Sequence, residues 1–247
     1  MDSARHPDAS PLAWSLPLRS VHRHAHAPPE LSPWLRDLPA VRDLLAGFEF
    51  SPTTVFVGEN GSGKSTIIEA LATTLDLPHG GGTSWEGRPH AQAPPELTDH
   101  LQIVRGAGAT RGGFFLRAET MHENMTYLME IGALRAHTYS QQSHGEMFIE
   151  MLSGRFMEQG LWILDEPESA LSFTTSLSLL QLVREREQDG LQTVIATHSP
   201  ILASAEGAKL VEVGDWGLRE ESWESLDMVD HWRRFLADPR RYTRYFD

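Results

Sequence analysis

Two kinds of hydrophobic pattern alternate along the chain. Short, uninterrupted apolar runs occur at 53–57 (TTVFV), 161–164 (LWIL) and 193–198 (TVIATH), whereas apolar residues recur at helical spacing over 67–75 and 177–190. A strand without polar alternation is buried on both of its faces, and a strand that alternates with helices has parallel neighbours. The pattern therefore predicts an α/β fold, in which helices cover both faces of a mostly parallel central sheet.

The two ends of the chain have a different pattern. Alternating apolar and polar residues over 14–22 (WSLPLRSVH) predict an antiparallel edge strand, and Pro17 favours a position without a hydrogen-bonded neighbour. We expect residues 1–40 to form N-terminal edge strands and a partly disordered tail. Residues 41–213 are predicted to form the main domain, and 214–247 a C-terminal strand and helix appendage.

The middle of the main domain breaks the regular pattern. Glycine- and proline-rich residues 76–113 contain one strand candidate, HLQIVR at 100–105, and predict a loop-rich surface insertion that is mobile or contacts a partner. The run FFLRAE at 114–119 predicts a further strand. Residues 120–160 have helical spacing and predict a small helical subdomain.

Composition narrows the classes of function. With 34 acidic and 21 basic residues the net charge is -13, which argues against broad adhesion to nucleic acid or to anionic lipid. The chain has no cysteine, and its apolar runs are too short to span a bilayer, so a cytoplasmic protein is expected. Residues 231–246 (HWRRFLADPRRYTRYF) are locally basic and aromatic. They could stack on nucleic acid, but a terminal helix that packs its aromatic residues on the core is the favoured interpretation.

A glycine-rich stretch follows the first central strand. Residues 58–65 read GENGSGKS, the pattern G-x-x-x-x-G-K-[ST], between a predicted strand and a predicted helix. Converging backbone N–H groups and a helix N-terminus bind phosphate oxygens, a lysine neutralises the terminal phosphates, and a serine hydroxyl binds Mg²⁺. The alternative is a glycine turn that caps an ordinary helix. The prediction is an ATP and Mg²⁺ site formed by Gly58, Asn60, Gly61, Ser62, Gly63, Lys64, Ser65 and Thr66.

Polar residues follow two other central strands at the edge where open α/β sheets bind ligands. Asp165 is predicted to hold Mg²⁺ and Glu166 to polarise the attacking water, although the two carboxylates could merely end a strand and cap a helix. His198 follows the next strand and is predicted to contact the γ-phosphate. The alternative is that Ser199 caps a helix and the histidine has no role.

These motifs occur together and in a fixed order: GENGSGKST, QQSHGE, LWILDEPESALS and ATHSP, within roughly residues 40–213. In this combination the chain resembles the ATP-binding cassette (ABC) class of P-loop ATPases. The resemblance implies that two ATP molecules are enclosed between two subunits. Ser143, Gly145 and Glu146 of one subunit would then bind the phosphate held by the other. Ser143 and Glu146 also have capping-box spacing, and this local role can coexist with the first.

Departures from the usual motifs refine the resemblance. His144 and Glu146 replace a glycine and a glutamine of the usual signature, and Ser172 stands where transporter members usually place an aspartate. Both changes look more like the soluble, non-transporter ATPases of the class. Glu119 is the candidate for the Mg²⁺-sensing residue, and a capping or exposed carboxylate is the alternative.

The sequence thus predicts a soluble ABC-type ATPase that forms a homodimer when ATP binds and acts as a conformational switch, with Lys64, Glu166 and His198 in catalysis. One alternative is the cytoplasmic ATP-binding subunit of an ABC transporter. Another is a DNA-associated or defence-type ATPase. A third is a P-loop enzyme outside the class, such as an AAA+ ring subunit or a small-molecule kinase.

Overall fold

The structure is a computed structural model, and it describes residues 15–77, 82–83, 95–117, 144–154 and 157–244. The strands are β1 Ser20–Arg23, β2 Phe48–Glu49, β3 Thr53–Val57, β4 Gly82–Thr83, β5 Leu101–Val104, β6 Gly113–Arg117, β7 Leu161–Asp165, β8 Gln192–Thr197, β9 Lys209–Gly214 and β10 Gly217–Glu220. The α-helices are α1 Pro33–Arg36, α2 Pro39–Ala46, α3 Lys64–Thr74, α4 His144–Ser153, α5 Phe173–Gln188, α6 Asp227–Ala237 and α7 Arg240–Thr243.

A seven-stranded sheet has the order β10-β9-β3-β8-β7-β6-β4. Its five inner strands are parallel, and the outer strands β10 and β4 pair antiparallel with their neighbours. The predicted mostly parallel α/β sheet is therefore confirmed. The carboxyl ends of β3, β7 and β8, each followed by a predicted site motif, meet at one edge.

Alternate residues of the inner strands pack into two separate cores. Phe56 joins the cluster that contains Ile67 and Leu71 of α3, while Val55 faces the cluster that contains Leu179 of α5 and Phe148 of α4. Successive side chains of a strand point to opposite faces, so an uninterrupted apolar run is needed when helices cover both. The short apolar runs of the sequence are explained by this double burial.

The N-terminal strands form a second, three-stranded antiparallel sheet with the order β2-β1-β5. The predicted antiparallel strand within 14–22 is present as β1, but it lies in the centre of this sheet and not at an edge, because it pairs with β2 on one side and β5 on the other. Pro17 does not interfere with this pairing, since the strand begins three residues later, at Ser20.

The second half of the predicted loop-rich insertion belongs to the core. A 3₁₀ turn spans Glu96–His100 and leads into β5, which confirms the strand candidate at 100–105. Leu97 and Leu101 are buried in the same cluster as α3. The expectation of a surface insertion was therefore wrong for this half, because the β5 pairing that holds it lies far away in sequence. Residues 84–94 are outside the described part.

The C-terminal helix also differs from its prediction. Leu226 and Val229 are buried at its start, but Trp232, Phe235 and Tyr242 remain 48%, 38% and 37% exposed. Packing of these aromatic residues on the core was the wrong expectation, because Val229 is the only buried residue among the described residues of α6. Phe235 instead contacts both of the other rings, with its centroid 6.4 Å from that of Trp232 and 5.9 Å from that of Tyr242.

The predicted helical subdomain at 120–160 is described only in part, as α4, and Glu119 and Ser143 lie outside the described residues. The division of the chain at residues 40 and 213 stays a prediction. In the described ranges, no helix combines the length and the apolarity needed to cross a bilayer.

Candidate functional site

The loop between β3 and α3 brings the amino terminus of an 11-residue helix into the edge of the sheet. Gly63, at the N-cap of α3, has φ 98°, a backbone conformation that L side chains rarely adopt. A Cβ atom on Gly58 would lie 2.4 Å from the carbonyl oxygen of Val213. The loop therefore needs glycine at both positions in order to turn tightly beside the neighbouring strand.

A cavity of about 570 Å³ opens at this helix terminus. It brings together most of the sequence-predicted residues from β3, α3 and β7. Its lining consists of Trp34, Leu38, Asn60, Gly61, Gly63, Lys64, Ser65, Thr66, Arg117, Asp165, Glu166 and Ser169. Three further predicted residues, Gly58, Ser62 and His198, line an adjoining cavity of about 620 Å³, together with Asn60 and Gly61.

Lys64 is held against its own loop. Its Nζ donates hydrogen bonds to the carbonyl oxygens of Gly58 (2.7 Å) and Glu59 (2.9 Å), and the residue is only 3% exposed. Burial lowers the pKa of this amine, while the carboxylates of Glu166 and Asp165 oppose the shift. A buried ammonium group has lost the water that would stabilise its charge. An anionic ligand can replace that stabilisation, so this lysine is suited to bind one.

Asp165 and Ser65 form a pair of oxygen ligands in the cavity. The Ser65 hydroxyl donates to Asp165 Oδ1 at 3.1 Å, and Asp165 is 3% exposed. Burial raises the pKa of Asp165 to about 6, while the hydrogen bond from Ser65 and the charge of Arg117 work in the opposite direction.

These two oxygens suit Mg²⁺, which is commonly bound through one or two carboxylates, substrate phosphates and water. Within the described ranges, no group of three or more His, Asp or Glu side chains is arranged to hold a metal ion by itself. Phosphate and water oxygens would therefore have to complete the coordination shell.

Glu166 and His198 come together where β7 and β8 end side by side. His198 Nδ1 lies 3.6 Å from Glu166 Oε1 and 3.4 Å from Glu168 Oε1. Glu166 has the left-handed backbone conformation (φ 49°, ψ 47°), and its N–H donates to Ala196 O at 2.9 Å. The register that places Asp165 opposite Ala196 brings the carboxylate and the imidazole together.

Three residues of the site escaped the sequence analysis. Arg117 ends β6, with Nη1 2.9 Å from Glu69 Oε1 and Nε 3.9 Å from Asp165 Oδ2. Trp34 lines the 570 Å³ cavity from α1 and is 58% exposed. The third residue is Glu168, which contacts His198. The available signals were weak: an arginine at a strand end, a tryptophan after a proline, and an additional acid in DEPES.

The signature residues lie away from this cavity. Gly145 is buried at the start of α4, where a Cβ would meet Ala170 O at 3.2 Å and Thr175 Oγ1 at 3.3 Å. Close packing against the segment that leads into α5 accounts for this glycine without any ligand. Neither Gly145 nor Glu146 is among the described residues that line the 570 Å³ cavity, so their phosphate-binding role stays a prediction.

Comparisons with known proteins agree with the motifs. Residues 43–84 match the family described as an AAA domain. A cytochrome c biogenesis ATP-binding export protein of Nitrosococcus oceani is 30% identical over 164 residues, which cover 58% of this chain and 72% of that protein. An uncharacterised ABC transporter ATP-binding protein of Haemophilus influenzae is 27% identical over 177 residues, covering 63% and 67%. The SMC head domain from Thermotoga maritima gives a TM-score of 0.43 at 14% identity, covering 84% of this chain and 100% of that one.

Proposed function

Because the chain belongs to the ATP-binding cassette class of P-loop ATPases, we propose that it binds ATP with Mg²⁺ in the 570 Å³ cavity and hydrolyses it within an ATP-dependent homodimer. The observation that carries the proposal is the arrangement of Lys64, Ser65, Asp165 and Glu166 around one cavity at the carboxyl ends of β3 and β7. Ligands of open α/β sheets bind at this edge.

The phosphates of ATP would lie against the N-terminus of α3. Backbone N–H groups of residues 60–66 and the Lys64 ammonium provide donors and positive charge there. Trp34, from α1, also lines the cavity and offers an exposed indole of the kind on which a purine ring stacks. The lining thus combines donors for phosphate with an aromatic ring for a base.

Hydrolysis needs a base close to the phosphate. The Glu166 carboxylate lines the cavity, is 29% exposed and can accept a proton from water, while His198 Nδ1, from the neighbouring strand, lies 3.6 Å from it. Ser65 and Asp165 would hold Mg²⁺, which when bound neutralises charge on the phosphate oxygens. The pKa of Asp165, raised by burial to about 6, leaves a substantial ionised fraction near neutral pH.

The second half of each site would come from the other subunit. The described signature residues lie outside the 570 Å³ cavity, which supports their use in the partner's site rather than in their own. In this arrangement Ser143, Gly145 and Glu146 close over the phosphate bound to the partner chain. Closure and reopening would be the output of a soluble, cytoplasmic switch.

A second candidate function is that of the ATP-binding subunit of a membrane transporter. It is favoured by the names of the relatives from Haemophilus influenzae and Nitrosococcus oceani, an ABC transporter protein and an export protein. A transporter subunit would be recovered with a membrane partner, whereas the soluble switch would be recovered alone.

The decisive experiment is the solution mass of Glu166→Gln with and without Mg-ATP, measured by sedimentation. Removal of the base should trap the closed state, so we expect the mass to double only when ATP is present. Lys64→Ala in the same background is the control and should remain monomeric. If a variant proven to bind ATP has the same mass with and without it, the homodimer is contradicted, and the search for a partner should turn to membrane proteins.

A further inference from the structure

We propose that Glu168 is a positioning residue that holds the His198 imidazole by its Nδ1 atom and leaves Nε2 available to the ligand. The inference deepens the proposed function and rests on the role given there to His198. It assigns a task to the third acid of the sequence DEPES, which has no role in the motifs.

The first support is the way in which Glu168 is fixed between two strands. It sits in the 3₁₀ turn Pro167–Ala170, directly after β7, and its carboxylate reaches the end of β8. Its Oε1 atom accepts hydrogen bonds from the Thr197 hydroxyl at 2.6 Å and from the His198 backbone N–H at 2.8 Å. One carboxylate oxygen therefore contacts the backbone of the residue whose side chain it is proposed to orient.

The second support is the position of the imidazole. His198 Nδ1 lies 3.4 Å from Glu168 Oε1, slightly closer than its 3.6 Å distance to Glu166 Oε1. The Glu168 side chain is 10% exposed, against 29% for Glu166. The better buried carboxylate, already fixed by two donors, is the steadier partner. Glu166 is then not the main partner of the imidazole, and its carboxylate stays available for water.

The third support is an acceptor that the surrounding fold does not use. Glu168 Oε2 is buried and has no hydrogen-bond partner among the residues that the structure describes. An unpartnered buried oxygen is unfavourable, so a link between two strands alone would be served at least as well by a neutral side chain. A negative charge is useful beside an imidazole, because a carboxylate accepts a stronger hydrogen bond from the imidazole N–H than a neutral side chain would.

The arrangement has the logic of a carboxylate that selects the tautomer of a neighbouring histidine. With the proton on Nδ1 and directed at Glu168, the opposite ring nitrogen carries a lone pair. That nitrogen can accept a hydrogen bond from the attacking water. Without Glu168, the imidazole would contact only Glu166 among the described carboxylates. The imidazole N–H and the attacking water would then compete for the Glu166 carboxylate.

The test is Glu168→Gln, which keeps the shape and an acceptor oxygen but removes the charge. In protein labelled with ¹⁵N-histidine and free of nucleotide, we expect His198, assigned by its loss in His198→Gln, to lose its preference for the Nδ1–H tautomer. The kcat for ATP should fall about 10-fold with KM changed by less than about 3-fold, as expected for a residue that orients another.

Glu187→Gln is the matched control, because Glu187 accepts a hydrogen bond from a second threonine hydroxyl, that of Thr53 (2.5 Å), at the opposite end of the strands. It should lower thermal stability as much as Glu168→Gln does but leave the His198 signals and kcat unchanged. Glu168→Gln added to His198→Gln should reduce kcat no further, by less than about 2-fold, because both changes act through one imidazole.

Unchanged His198 signals in Glu168→Gln would overturn the proposal, and so would full additivity of the two kcat losses. Failure of the proposed function would give a different experimental result. In that case wild-type protein would show no Mg-dependent ATP hydrolysis that Lys64→Ala abolishes, and the tautomer measurement would still decide the positioning role.

Discussion

The buried polar groups at the two ends of the parallel strands differ in how completely they are hydrogen-bonded. At the amino ends, Gln192 donates to the carbonyl oxygens of Leu18 (2.7 Å) and Ser51 (3.2 Å), while its side-chain oxygen accepts the Leu18 N–H (2.8 Å). The completely buried amide thus ties the N-terminal segment to the central sheet. Every polar atom of this side chain has a use in holding the fold together.

Arg186 is a second completely buried side chain whose polar groups are hydrogen-bonded. Its guanidinium is completely buried and stacks on Trp162, 3.9 Å from the ring centroid. It donates to the carbonyl oxygens of Met157 (2.5 Å), Gln159 (2.9 Å) and Gln192 (3.0 Å). Burial lowers the pKa of Arg186 to about 9, which still leaves the group charged at neutral pH.

At the carboxyl ends the polar groups are less well satisfied. Burial lowers the pKa of Lys64 and raises that of Asp165 to about 6, just as it lowers the pKa of Arg186 at the amino ends. The two ends therefore differ in their hydrogen bonds and not in desolvation. Within the described ranges, Ser62 Oγ and Glu168 Oε2 are buried without hydrogen-bond partners. The amino ends therefore stabilise the fold, whereas the less well satisfied groups lie at the carboxyl ends, where the ATP site is proposed.

Lys64→Ala should separate the two ends most sharply. We expect ATP hydrolysis to fall about 1000-fold, because the ammonium that stabilises phosphate charge is lost, with an unchanged or higher melting temperature because a desolvated charge is removed. Phosphate release and thermal unfolding measure the two effects. Lys209→Ala, at the only other lysine, should retain full hydrolysis, since Lys209 contacts Glu49 O and Glu220 at the outer strands. A Lys64 variant that loses stability instead would contradict the comparison.

Arg186→Met tests the amino ends. It leaves three carbonyl oxygens without their donor, so the free energy of unfolding should fall by about 3 kcal/mol, measured by urea denaturation. The neighbouring Arg184→Met is the control, because its guanidinium is 65% exposed and pairs only with the exposed Glu206 among the described contacts. We expect a change below about 0.5 kcal/mol there. Equal losses in the two variants would mean that the buried guanidinium has no special role.

Asp165→Asn gives the smallest effect and a pH signature. The folded pKa of about 6 lies above the ordinary 3.8, so wild-type protein loses stability as pH rises between these values. The variant does not titrate there. Its unfolding free energy relative to wild type should therefore rise with pH and reach about 2 kcal/mol near pH 7 without Mg²⁺. Urea denaturation across this pH range measures the difference, and a difference independent of pH would sink the prediction.

The elements that carry local signals could be predicted from the sequence. β3, α3, β7, α5 and β8 combine apolar runs with motif residues, and each lies where the pattern indicated. The central position of β1 could not be predicted in this way, because it depends on pairing with β5, about 80 residues away. Long-range register leaves no local trace.

The same limit applied to the site. The glycine-rich residues 58–65 and the carboxylates after β7 were visible as motifs, but their cross-strand contacts were not. Arg117 meets Asp165, and Glu168 meets His198, only because β6, β7 and β8 are neighbours in the sheet. A one-dimensional pattern gives the residues of the site but not the pairs that they form.

The backbone at Glu166 has one more consequence. A left-handed conformation is unfavourable for any residue with a Cβ, by about 1–2 kcal/mol, and glycine would adopt it freely. This strain falls on the residue proposed as the base, at the first position after a fully buried strand. A chain selected for stability alone would have glycine at this position. The glutamate therefore lowers the stability of the fold at the residue where the proposed hydrolysis needs a base.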